Sequence, residues 1–281
     1  MLKLVILIIY FAVLIGIGLY CRKHATDVNG FVLGGRSVGP WLTAFAYGTS
    51  YFSAVVFVGY AGQFGWKYGI AATWAGIGNA IIGSLLAWVI LGRRTRIMSQ
   101  HLDSATMPQY FGKRFGSNPL KIGASVIIFI FLIPYTASLY NGLSRLFGMA
   151  FNIDYSVCII IMATLTAIYV IAGGYMATAI NDFIQGIIML FGIVAVIAAV
   201  IHSKGGFMSA LQGLANVSDP AVSDTPGIFA SFFGPDPFNL LCVVILTSLG
   251  TWGLPQMVQK FYAIDNEASI QKGTVISTIF A

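Results

Sequence analysis

Residues 48–62 read GTSYFSAVVFVGYAG. The stretch is apolar enough to lie in a bilayer, yet it carries Thr49, Ser50, Tyr51, Ser53 and Tyr60 among the glycines Gly48, Gly59 and Gly62. Polar groups are unfavourable in hydrocarbon and glycine weakens a helix, so their concentration in one span asks for a cause other than crossing the membrane. The surrounding composition sets the solvent. Of 281 residues, 58% are hydrophobic and 9% charged, and the mean hydropathy is +0.86; a water-soluble domain of this size could not hide so much apolar surface. The chain reads as an all-α, multi-pass integral protein of the cell (plasma) membrane, with the lipid bilayer as its surroundings.

Apolar runs of spanning length fall at about 2–20, 41–62, 70–92, 120–148, 155–172, 178–201 and 237–256, and an eighth begins near Gly273. Each approaches the roughly 20 residues a bilayer requires. The first run is followed by CRKH instead of a small-residue cleavage site, so it is kept as a helix and not read as a signal peptide. Arg22 and Lys23 after it outweigh Lys3 before it, which predicts an N-terminus outside and a 21–40 loop inside. Alternating sides from there puts Arg22, Lys23, Arg36, Arg93, Arg94, Arg96, Lys113, Arg114, Lys121, Lys260 and Lys272 inside, and Lys3, Lys67, Arg145 and Lys204 outside. One missed helix would have scrambled that bias. The formal charge of +6 is therefore explained by topology, and GRRTRIMSQH flanks a span instead of lining a groove with aromatics, so no nucleic-acid partner is expected.

Other chemistries lack their signatures. Cys21, Cys158 and Cys242 stand alone, without disulfide or zinc spacing, and His24, His101 and His202 are scattered over loops. No phosphate-binding G-x-x-x-x-G-K-[ST] occurs. The expectation is a protein that is not an enzyme, with no organic cofactor and no metal beyond a coupling ion.

A second interrupted run supplies the missing cause. The span 237–256 ends in LTSLGTWGLPQ, where Gly250, Gly253 and Pro255 break an otherwise apolar helix. It lies five spans after 41–62, and an odd offset makes the two cross in opposite directions. Inverted repeats of five helices demand that arrangement, and paired broken helices are the best sequence pointer to a transporter's binding site. Small residues also mark plain helix packing. On the site reading, unwound carbonyls suit a hard cation such as Na⁺, with hydroxyls of Thr49, Ser50 and Ser53 nearby. Gln63, Tyr135, Trp252 and Gln256 offer hydrogen bonds or a stacking face to a solute, although membrane aromatics also serve as packing and interface anchors. Asp182 is the one acidic residue well inside a span, which makes it a functional candidate, a polar cap or a buried hydrogen-bond partner.

Three segments, FVLGGRSVGPWLTAFAYGTSYFSAVVFVGYAG, YVIAGGYMATAINDFIQG and GLPQMVQKFYAIDN, together resemble the sodium:solute symporter family, which includes proline, pantothenate and sugar carriers. The resemblance rests on L-G-G-R-S-x-G-P before the first broken helix, Y-x-x-x-G-G-x-x-A followed by N-D-x-x-Q, and P-x-x-V-x-K-F after the second break. It implies a LeuT-like fold of two inverted five-helix repeats behind one extra N-terminal helix, with residues 1–281 forming a single transporter domain. It further implies a Na⁺ site built from the carbonyls of Thr49 and Phe52, to which the hydroxyl reading above adds Ser53, and places Asp182 along the inner cation path. Family members run longer, so the second repeat and the eighth core helix, whose hydroxyls complete that site, are expected to be incomplete here; the 281-residue chain by itself is expected not to transport. Ser50, Tyr51, Gln63, Tyr135, Thr247, Thr251, Trp252 and Gln256 are the solute-site candidates. Proline carriers of the family have an aspartate where Tyr51 stands and aromatics where Thr247 and Thr251 stand, so proline, another amino acid and a carboxylate all remain open. The reading is a symporter importing a small organic solute with Na⁺; the alternative is a symporter-like sensor domain. A channel, which needs no paired breaks, is disfavoured, and the oligomeric state is left open.

Overall fold

The computed structural model describes residues 2–52 and 60–281. Helix accounts for 84% of the chain, and among the described residues there is no strand. Helix α1 (Leu2–Cys21) is followed by short α2 (Val28–Leu33) and by α3 (Pro40–Tyr51). After α4 (Ala61–Tyr68) the chain turns at Gly69 into α5 (Thr73–Gly78), which continues through π-helical turns at Asn79–Leu86 and Trp88–Gly92 into α6 (Arg93–His101). Then come α7 (Met107–Phe115), α8 (Asn118–Phe151), α9 (Tyr155–Ser203), α10 (Phe207–Ala215), α11 (Pro237–Gly250), α12 (Pro255–Ala263) and α13 (Glu267–Phe280).

Helix starts follow capping chemistry. Asp27, Thr106, Ser117, Asp154, Asp236 and Asn266 each accept a backbone N–H of the turn they open, and proline occupies the first turn of α3, α7, α8, α11 and α12, where its missing N–H costs nothing. At 49 residues α9 would reach about 74 Å, far more than one bilayer crossing. It is two helices meeting at Gly174, whose φ of 56° and ψ of −149° belong to glycine. The runs 155–172 and 178–201 fall on either side of that point.

Three continuous helical stretches, residues 61–101, Asn118–Phe151 and Tyr155–Ser203, are long and apolar enough to cross a membrane, and the bent pair Pro237–Gly253 with Pro255–Ala263 makes a fourth. Their outward side chains are hydrocarbon: Phe129 is 70% exposed and Phe131 69%. Lipid, not water, is the solvent for such a surface, and the protein is membrane-embedded.

The core sits where α3 meets α9, α12 and α13. Tyr47, Trp88, Met257 and Phe261 pack there, the Trp88 and Phe261 rings edge to face at 5.1 Å. At one end of this core the segment leading into α3 is stitched to the end of α12. The Val38 N–H donates to the Ala263 carbonyl (3.2 Å), and the Asp265 N–H donates to the Val38 carbonyl (3.0 Å). Arg36 donates to the carbonyls of Ser99, Ser104 and Tyr262 and to the Ser99 hydroxyl; burial lowers its pKa from the ordinary value, with Asp103 and Tyr262 opposing. Arg96, 4% exposed, donates to the carbonyls of Ile264 and Asp265. Helix α3 runs away from this point and α12 runs into it, so the two are antiparallel neighbours. The glycine-rich LGGRSVGP thus serves as a joint between helices.

Candidate solute and cation site

Both interrupted runs are interrupted in the fold. Helix α3 ends at Tyr51; Phe52 leaves helical geometry at φ −89° and ψ 62°, its N–H closing the last turn on the Gly48 carbonyl at 2.9 Å. Ser53 lies outside the described residues. The second break has a sequence cause that can be followed atom by atom. Helix α11 passes into a single 3₁₀ turn, Thr251–Gly253, and Leu254 is extended (φ −69°, ψ 127°) because the ring of Pro255 disfavours a helical residue before it. Helix α12 then starts on Pro255, and the bend is 53°.

The breaks face a common cavity of about 500 Å³. Tyr51, Phe52, Tyr60 and Ala61 bound it from the first interrupted run, Thr247 and Thr251 from the second. Phe64, Ala72, Ala75, Gly76, Met189, Leu190, Ile193 and Phe280 complete mostly apolar walls, and no charged residue is among the described residues lining it. An apolar chamber with a few convergent polar groups is the usual form of a small-molecule site.

Those polar groups meet at Asn79. The Tyr51 hydroxyl donates to Asn79 Oδ1 at 2.6 Å and reaches the Thr247 carbonyl at 3.2 Å. Asn79 Nδ2 donates to the Ala75 carbonyl (2.7 Å) and to Thr247 Oγ1 (3.4 Å), and Ser248 Oγ donates to Asn79 Oδ1 (3.2 Å). Asn79 opens the π-helical stretch, a local irregularity frequent at functional sites. The side chain of one residue between the two interrupted helices therefore touches both.

The other candidates are more dispersed. Thr49 turns its hydroxyl back onto the Phe45 carbonyl at 2.9 Å. Ser50 is half-buried in the last turn of α3 and does not line the cavity; Gln63 is exposed on α4; Tyr135 is half-buried on α8, beside Pro134. Trp252 donates its indole N–H to the Ile82 carbonyl at 3.0 Å and packs on the core. Gln256 buries its amide without a hydrogen-bond partner. Asp182 sits on α9, seven residues before the cavity-lining Met189 and so about 10 Å along the helix. Its Oδ2 lies 3.5 Å from Lys260 Nζ, with side-chain exposures of 23% and 6%. The ammonium is also 5.1 Å from the centroid of the Tyr175 ring.

Sequence reasoning missed two of these groups. Asn79 was the one amide in the run 70–92, a signal that went unused. Lys260 stands in the sequence as a topology marker and as part of P-x-x-V-x-K-F, and its pairing with Asp182 is hidden there because the two lie 78 residues apart and only folding joins them. Among the described residues no three His, Cys, Asp or Glu side chains gather as a metal site.

A family model described as the sodium:solute symporter family matches residues 31–281. The chain is 31% identical over 259 residues to the osmoregulated proline transporter OpuE of Bacillus subtilis (strain 168), covering 91% of this chain and 51% of that protein. It is 31% identical over 282 aligned residues to the sodium/proline symporters of Staphylococcus aureus strains JH9 and Mu3, covering 95% of this chain and 51% of each. The chain spans about half the length of the curated relatives it matches.

Proposed function

Because this chain belongs to the sodium:solute symporter family, whose members are transporters and not enzymes, we propose that the whole protein imports a small organic solute together with Na⁺ by alternating access. The observation that carries the reading is the pair of antiparallel interrupted helices whose breaks open on one cavity. We read the arrangement as LeuT-like, with the extra helix α1 in front, the N-terminus outside and the plasma membrane as its location. The solute occupies the cavity against Tyr51, Thr247 and Thr251. Na⁺ is held near the end of α3 by the carbonyls of Thr49 and Phe52 and by Ser53, and Asp182 lies on its way to the inner face. No organic cofactor is needed, since the Na⁺ gradient and membrane potential supply the drive, about 2.3 kcal/mol per charge per 100 mV.

Relatives named as proline transporters make L-proline the first solute to try. The test is uptake of radiolabelled L-proline, and then of a panel of amino acids and carboxylates, into proteoliposomes containing the whole protein. The proposal expects saturable uptake under an inward Na⁺ gradient and little under an equal K⁺ gradient. Uptake indifferent to Na⁺ would overturn it.

A further inference from the structure

The corner between α7 and α8 carries positive charge that no carboxylate balances. Helix α7 turns Met107 and Tyr110 to the core, the Tyr110 ring stacked on that of Tyr262 at 6.0 Å. Its last turn leaves Lys113, Arg114 and Phe115 exposed, Phe115 at 68%. The chain then reverses within two residues: Gly116 closes α7 in the left-handed region at φ 60°, and the Ser117 hydroxyl accepts the Leu120 N–H in the first turn of α8. Gly112 lets the two helices touch, because a Cβ there would stand 2.8 Å from the Lys121 Cβ. This contact sets Lys113 and Lys121 on the walls of one groove of about 300 Å³, which Gln109, Ser117 and Asn118 also line.

Among the described residues the ion pairs are Arg93 with Glu267 and Lys260 with Asp182, so Lys113, Arg114 and Lys121 meet no carboxylate there. No acidic residue occurs between Asp103 and Asp154. Asp103 gives Lys113 its backbone carbonyl, at 2.6 Å, while its carboxylate acts on Arg36. One of the three Lys113 ammonium protons is thus committed and two are left. The groove also opens at membrane level. Leu120, Ile122, Val126 and Ile127 turn outward around and beyond Lys121 on the membrane-crossing α8, so hydrocarbon begins there. A lysine at such a boundary extends its ammonium to the head groups, and an exposed phenylalanine beside it suits the same layer. An occupant must bring negative charge on a body that rests against hydrocarbon. A phospholipid with a net negative head does both, whereas a zwitterionic one brings an ammonium for which this corner holds no carboxylate.

We infer that this groove binds the head group of an anionic phospholipid, with Lys113 and Lys121 on its phosphate and Arg114 and Phe115 at the rim, and that the bound lipid holds α7 on the membrane surface.

The experiment uses the whole protein with exposed cysteines replaced, Cys242→Ser among them. A bimane on Ser125→Cys, which is exposed about 6 Å along α8 from Lys121, reports which lipid is its neighbour. The protein is reconstituted in phosphatidylcholine and phosphatidylglycerol at 3:1, with quenching bromine atoms on the chains of one lipid or the other. The quenching should give an affinity for phosphatidylglycerol about 25-fold above that for phosphatidylcholine, a factor of about five for each lysine, and the ratio should fall as NaCl is raised. Lys113→Gln and Lys121→Gln should each lose about fivefold, and Lys121→Arg, which keeps the charge, should retain most of the preference. Equal quenching by the two lipids overturns the inference, as does a preference that survives in the double glutamine variant. A loss as large in Lys23→Gln, outside the groove, would mean a diffuse surface potential and no built site. Suppression of the preference by millimolar inorganic phosphate at constant ionic strength would assign the groove to a free anion and overturn its assignment to lipid.

Discussion

Where α3 begins and α12 ends, backbone and side chains interlock; where α3 stops and α11 breaks, the same two runs face an open cavity. At the first place Arg36 and Arg96 bind carbonyls of the last turns of α6 and α12 and of the segments that follow them, and Val38 bonds to Ala263 and Asp265. At the second, Tyr51 meets Thr247 both directly and through the Asn79 amide, beside a cavity of about 500 Å³. Charge-assisted bonds to buried carbonyls resist change. A cluster of neutral bonds beside a cavity exchanges partners more readily. The contrast locates the rigid joint at one end of the broken pair and the adaptable part at the breaks.

The largest way to break that contrast is to remove the joint. Arg96→Met leaves the Ile264 and Asp265 carbonyls without their guanidinium donors, and should cost about 3 kcal/mol of stability, seen as a lower melting temperature and less monodisperse protein in detergent. If the variant melts with wild type, the joint is not the rigid element. Next comes Gly48, three residues before the end of α3. A Cβ built there runs into the Phe280 ring of α13, so Gly48→Leu should overpack this contact by about 2 to 3 kcal/mol and reduce folded yield. Full expression with unaltered thermal stability would show that α13 yields easily.

Asp182→Asn probes a third region, between α9 and α12. It leaves the Lys260 ammonium, 6% exposed, without its carboxylate, and should destabilise by about 2 kcal/mol while raising the Na⁺ concentration for half-maximal uptake. Adding Lys260→Met should recover most of the stability. A double variant as unstable as the sum of the two singles would mean that the pair is not coupled.

How much of this was legible in the sequence follows from where the governing interactions lie. Gly250, Gly253 and Pro255 act on their own backbone, so the second break was readable, and the Gly173–Gly174 pair fell between two predicted spans for the same local reason. The 70–92 run was expected to end near Gly92, but the helix continues as RRTRIMSQH to His101, because Arg96 is neutralised as a solvation problem by carbonyls 168 and 169 residues away. Tyr51, Thr247 and Thr251 line the cavity, each carried there by the backbone of its own interrupted run. The π-helical register that turns Asn79 toward Tyr51, and the pairing of Asp182 with Lys260, depend on tertiary contacts that no local pattern encodes.

The smallest expected effect concerns Ser53, which follows α3 in the sequence. Ser53→Ala should express normally and shift the Na⁺ dependence of uptake by about 1 kcal/mol, roughly fivefold in the half-saturating concentration, for one lost neutral ligand. An unchanged Na⁺ titration would leave the cation to the carbonyls of Thr49 and Phe52 alone.

Coupling is the central claim, and ²²Na⁺ influx into proteoliposomes containing the whole protein tests it most directly. The account predicts that influx is small alone, rises saturably when a transported solute is added on the same side, and keeps a fixed ratio to solute influx as the membrane potential is varied. Na⁺ influx that is large without solute, does not saturate and ignores the solute panel would contradict it, and would make the paired breaks part of a channel.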